Sequence, residues 1–101
     1  MADLDEKTAC RTPNDGGKSM TNIPTWKFEV IRTAILQVLG QGPCKSGGLS
    51  DAIRAVIAAD DLEKIGKLGW HMMAVKLELE VRGEIRRQPG VKPLMMELVP
   101  G

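Results

Sequence analysis

Between Trp70 and Gly83 the chain reads WHMMAVKLELEVRG. This is the longest uninterrupted stretch of good helix formers in the sequence, and it closes on a glycine suited to a helix C-terminus. At about 100° per residue its side chains sort into four strips. Met72, Val75 and Leu79 share one side, and Trp70, Met73, Ala74, Leu77 and Val81 share the other. His71, Glu78 and Arg82 line one flank, with Lys76 and Glu80 on the second. A helix that is apolar on two sides is either buried on both or presents one of them to a partner. The second side is therefore expected to pack on a symmetric copy or on the N-terminal segment.

The remaining elements are read as cover for this helix. In TWKFEVIRTAILQVLG the residues Phe28, Ile31, Ile35 and Leu39 recur at spacings of three and four, a continuous apolar stripe. Thr25 is the expected N-cap, Gly40 the expected stop, and Gly42-Pro43 bars continuation. QGPCKSGG reads as a connection. A second helix is expected from Leu49 or Ser50 to Ala59, burying Ile53, Val56 and Ile57, with one more turn around Leu62 to Ile65. After Gly83, EIRRQ and LMMELV read as two short strands joined through Pro89-Gly90 to Pro93. Residues 1–22 are polar, with little to bury, and read as a disordered tail; residues 23–101 read as the domain. The expected fold is mainly α with a small β-hairpin, three helices followed by a two-stranded wing, which is a winged helix-turn-helix.

At LELEVRGEIRR the sequence resembles the winged-helix superfamily. There the recognition helix commonly ends Leu-Glu-x-x-Gly, with an apolar and then a basic residue opening the wing; Leu79, Glu80, Gly83, Ile85 and Arg86 occupy those places. AILQVLGQGPCKSGGLSDAI resembles the passage between the first two helices of the same superfamily, so the resemblance runs from Thr25 to Val99. The chain is also similar to a family of small, uncharacterised bacterial single-domain winged-helix proteins. The resemblance implies DNA binding as the commonest role, in a small transcriptional regulator, while many members are protein-interaction modules.

Net charge is +1, so no global field favours a nucleic acid or a membrane. Trp26, Phe28 and Trp70 are the whole aromatic set, too few for a single-strand binder that stacks bases. The wing is the basic feature: Arg82, Arg86, Arg87 and Lys92 against the one acid Glu84 between Arg82 and Lys92. With Lys76, these residues are the expected phosphate contacts to double-stranded DNA. The plainer alternative is a solvated hairpin whose charges guard its edges. Against groove reading stands the outer face of the long helix, since base edges call for Arg, Lys, Asn or Gln. Trp70, Met73, Leu77 and Val81 are instead the expected interface of a homodimer or of a protein partner.

No catalytic constellation emerges. His71 is the single histidine and lacks a ligand set, so no metal is expected, and no cofactor. KSGGLSD lacks the glycine spacing and the preceding strand of a P-loop, and Ser46 and Ser50 have no His/Asp partners. Cys10 and Cys44 read as free thiols of a reducing compartment. No secretory leader and no membrane span is expected, so the chain reads as a cytoplasmic non-enzyme.

Overall fold

The computed structural model describes residues 6–12, 20–88, 90 and 94–99. In chain order its elements are β1 (Lys7–Arg11), β2 (Met20–Pro24), α1 (Thr25–Leu39), β3 (Cys44–Lys45), a 3-10 turn (Ser46–Gly48), α2 (Leu49–Arg54), α3 (Ala59–Ile65), α4 (Leu68–Arg82), β4 (Ile85–Arg87) and β5 (Met95–Leu98). The described residues thus form an α/β domain of four α-helices and two small antiparallel sheets.

The two long helices form where the periodicity places them. α1 buries Phe28, Ile31, Ala34, Ile35 and Leu39, and α4 buries Leu68, Met72, Val75 and Leu79 against the same core. α4 stops because Gly83 takes a left-handed conformation at φ +77°. Its N–H reaches the carbonyl of Glu80 at 3.1 Å, and the Glu84 N–H reaches that of Leu79 at 3.0 Å. That pattern satisfies the last carbonyls and turns the chain into β4 at a backbone angle that side-chain-bearing residues resist.

The strand-helix order differs from the expected helices followed by a hairpin. Lys7–Arg11 and Met20–Pro24, read from sequence as part of a disordered tail, pair as antiparallel strands with Cys10 opposite Thr21 and Thr8 opposite Ile23. They bury Cys10 and Ile23 in the common core. Residues 1–5 and 13–19 of that reading lie outside the described residues. The hairpin is anchored at its base: the Thr25 N–H donates to the Glu6 carbonyl at 2.9 Å, and the Thr8 and Thr25 hydroxyls share a bond of 2.8 Å. Thr25 is therefore the first helical residue of α1 rather than its cap, with Pro24 at the cap position.

QGPCKSGG, read as a connection, contains β3, and Ser50 does not cap α2, which follows Gly48 directly. β3 adds to the C-terminal hairpin in the order β3-β5-β4, with Cys44 opposite Met96. The expected second helix ends at Arg54. Ile53 accepts from the N–H groups of Val56 and Ile57, which swings Ile57 into the core, and Ala58 at ψ 143° opens α3. Asp60 and Asp61 in its first turn and Lys64 in its last complement the helix dipole. No helix among the described residues is long and apolar enough to cross a membrane.

Candidate functional site

The flanks and outer face of α4 carry most of the residues that sequence reading singles out, and the fold treats each strip differently. The outer strip stays open. Trp70 is 56 % and Met73 48 % exposed, with Leu77 and Val81 half-buried beside them. At 1.5 Å per residue the strip from Trp70 to Val81 is about 16 Å long. The described strands of the N-terminal hairpin do not cover it.

That hairpin takes the charged flank instead. Glu78 is 1 % exposed, lying beneath β1. The Arg11 backbone N–H and Nε both donate to its Oε1 at 2.9 Å, and Arg11 Nη2 donates to Oε2 at 2.8 Å. Arg82 Nε, one turn on, donates to Oε2 at 2.7 Å. Burial pushes the Glu78 carboxyl up, but these bonds outweigh it and hold the group at about 2. Arg82 also lies over the ring of Phe28, 4.7 Å from its centroid, so one guanidinium ties hairpin, helix and core together. Cys10 sits nearby; burial, helped by the Glu78 charge, pushes its thiol up to about 11, so it is an unreactive thiol at neutral pH.

The second flank faces β4. Lys76, expected from sequence to grip phosphate, is 3 % exposed and cannot reach one. Its ammonium lies 3.6 Å from Glu80 Oε2, which has no hydrogen-bond partner among the described residues. Desolvation lowers the Lys76 pKa, with Glu80 opposing the shift. Glu80 Oε1 accepts from Arg87 Nε at 2.9 Å.

Arg82, Arg86 and Arg87 are exposed but paired. Arg86 lies directly across from Glu97 in the β4-β5 register and donates to it at 2.7 Å. Gln88 and Arg86 together lower the Glu97 carboxyl. Arg82 comes within 3.9 Å of Glu84, whose main partner is Arg32 of α1 at 2.7 Å. Lys92 lies outside the described residues. The fold therefore brings Arg82, Arg86 and Arg87 to one end of the molecule, but meets each with a carboxylate. Three of those partners, Glu78, Glu80 and Glu97, fall outside the Arg82–Lys92 window that makes the wing look strongly basic in sequence.

Arg11 and Arg32 are the residues sequence reading missed. Arg32 sits on the polar side of an amphipathic helix, where any solvated arginine would sit. Arg11 was hidden in the apparent tail. The one signal for it was turn chemistry, Pro13-Asn14-Asp15-Gly16-Gly17 between two short runs rich in Thr.

Among the described residues no group of three or more His, Cys, Asp and Glu side chains is placed to hold a metal, and Cys10 and Cys44 are free thiols. His71 donates from Nδ1 to the Lys67 carbonyl, 2.7 Å away, and its ring meets Trp70 edge-on. The model of a family of unknown function, DUF6958, matches residues 7–96, a span that includes the N-terminal hairpin. No curated protein and no solved structure matches the chain.

Proposed function

We propose that this chain, which belongs to the DUF6958 family, is a winged-helix interaction module that pairs with a second copy of itself through the outer face of α4. The single observation that carries this is the exposure of Trp70 and Met73 in line with Leu77 and Val81 on a helix whose other three sides are occupied. From Thr25 onward the order is α1, β3, α2, α3, α4 and the β4–β5 hairpin, with Gly83 closing α4 just before β4, and this order supports the winged-helix reading. A two-fold pairing puts the same strip on both sides, and spacings of three and four residues suit helix-on-helix packing. Four side chains per copy make a small interface, so the pairing is expected to be reversible and concentration-dependent.

Sedimentation equilibrium over a wide concentration range tests it. The wild type is expected to move towards twice the monomer mass as concentration rises. Trp70→Glu/Met73→Glu is expected to stay monomeric throughout with an unchanged far-UV spectrum, because both side chains are already exposed. A wild type that remains monomeric at several hundred micromolar would refute the proposal.

A second reading is DNA association through the wing, in a small regulator. It is favoured by the exposure of Arg86 and Arg87, whose side chains are 52 % and 42 % accessible despite their ion pairs. Phosphates would have to displace Glu97 and Glu80, so affinity for a random duplex is expected to be weak and steeply salt-dependent. Fluorescence anisotropy at low salt, with Arg86→Ala/Arg87→Ala alongside, decides it. Undiminished binding by the variant removes the wing from any role in DNA contact.

A further inference from the structure

A second surface lies along α1, where the helix meets the connection between α2 and α3. Glu29 and Thr33 stand one turn apart on α1, with Val30 beside them. Val56 and Ile57 form the facing wall, and Asp61 of α3 closes one side. Together with their neighbours these residues enclose an open trough of about 330 Å³. Its floor is aliphatic, and Val56 is left 38 % exposed there. Its charge is all of one sign: two carboxylates line it and no Lys, Arg or His does.

These two carboxylates differ from the acids around α4 and the wing. Glu78, Glu80, Glu84 and Glu97 each hold an arginine or lysine of the chain itself, whereas neither Glu29 nor Asp61 forms an ion pair among the described residues. An aliphatic floor beside two unpaired carboxylates is complementary to a positive head on an apolar stem, the chemistry of an arginine or lysine side chain. The trough runs along α1 from Glu29 to Gln37, about 12 Å at 1.5 Å per residue. It is open along its length, while small-molecule sites enclose most of their ligand. An extended chain segment suits such a shape better than a free amine.

We infer that this trough docks a basic segment of a partner protein, with an arginine or lysine stem laid on Val30, Val56 and Ile57 and its charged head between Glu29 and Asp61. The site is independent of the α4 strip, so it stands whether or not the chain self-associates.

The test is a ¹H–¹⁵N NMR titration of the full chain with a capped Arg-Leu-Arg-Leu peptide. Controls are the same peptide with glutamates for arginines, and spermidine. Saturable shifts are expected at Glu29, Val30, Thr33 and at Val56 to Asp61, with none from the acidic peptide. Glu29→Gln/Asp61→Asn is expected to weaken binding several-fold while leaving the spectrum outside the first turn of α3 in place, since neither side chain is buried. The inference is overturned by shifts confined to Glu97 and the wing, by equal binding to the variant, or by no saturable shift. It is also overturned if spermidine saturates the trough and the peptide does not, because the occupant would then be a small amine.

Discussion

Glu78→Gln is expected to lower the Tm by roughly 10–20 °C, the equivalent of about 2–3 kcal/mol in a domain of this size. Removing one partner of a buried ion pair typically costs about 3–5 kcal/mol, chiefly by stranding the other charge. Here the cost is smaller, because the Arg11 and Arg82 side chains are 43 % and 36 % accessible and can turn to water. What the variant cannot replace is the anchor between β1 and α4. The neutral amide keeps the shape but loses the charge that four donor contacts converge on.

The same residue sets an acid limb in the stability curve. The folded-state pKa of Glu78 is about 2, against an ordinary 4.5. In the window between those values the unfolded chain binds the proton and the folded chain does not, so stability rises with pH there. The contribution is fully present above the ordinary value and is lost as pH falls through the folded one. It amounts to about 3 kcal/mol at most, and nearer 2 once solvent screening of the arginines is allowed for. Urea unfolding of the wild type and Glu78→Gln at a series of acid pH values isolates the effect. The two curves should converge as pH falls; parallel curves would mean that Glu78 is not held by Arg11 and Arg82.

Phe28→Ala is expected to cost about 4 kcal/mol, enough to leave a domain of this size partly unfolded at room temperature. Phe28 is 1 % exposed at the centre of the core, and its ring carries the Arg82 guanidinium on its face. Two causes are therefore lost together, the packed volume and the cation–π contact. Phe28→Leu separates them, since it keeps most of the apolar volume and is expected to cost only about 1–2 kcal/mol. Chemical denaturation of both variants, each with and without Arg82→Met, gives the coupling energy directly. Additive effects would show that Arg82 acts only through Glu78.

Much of the architecture was legible one element at a time. The stripe of Phe28, Ile31, Ile35 and Leu39 specifies α1 because residues three and four apart share a helix face whatever the surroundings. The end of α4 is equally local, since Gly83 tolerates the left-handed turn into β4. The two-sided apolar character of α4 was also legible, and the structure leaves Trp70 and Met73 of its outer side exposed. The extent of α2 was not. Whether the chain continues past Arg54 as one helix depends on where Ile57 finds its cavity, which is set by α1.

The N-terminal hairpin marks the limit most clearly. Its five-residue strands bury only Cys10 and Ile23, too little apolar surface to announce a folded segment. It is held by Arg11 on Glu78, a pair 67 residues apart in sequence. By itself the sequence determined the two long helices, the glycine stop, the C-terminal hairpin and the strip of Trp70, Met73, Leu77 and Val81, because each follows from backbone periodicity or local turn chemistry. Only the tertiary structure decided that the described N-terminal strands take the Glu78 flank and leave the apolar strip open, that Lys76 is buried, and that Arg82, Arg86 and Arg87 are paired. Arg11 meets Glu78 across 67 residues and Arg32 meets Glu84 across 52, pairings of which local charge counts carry no trace, whereas Lys76–Glu80, Glu78–Arg82, Glu80–Arg87 and Arg86–Glu97 join near neighbours that the helix turn and the hairpin register bring together.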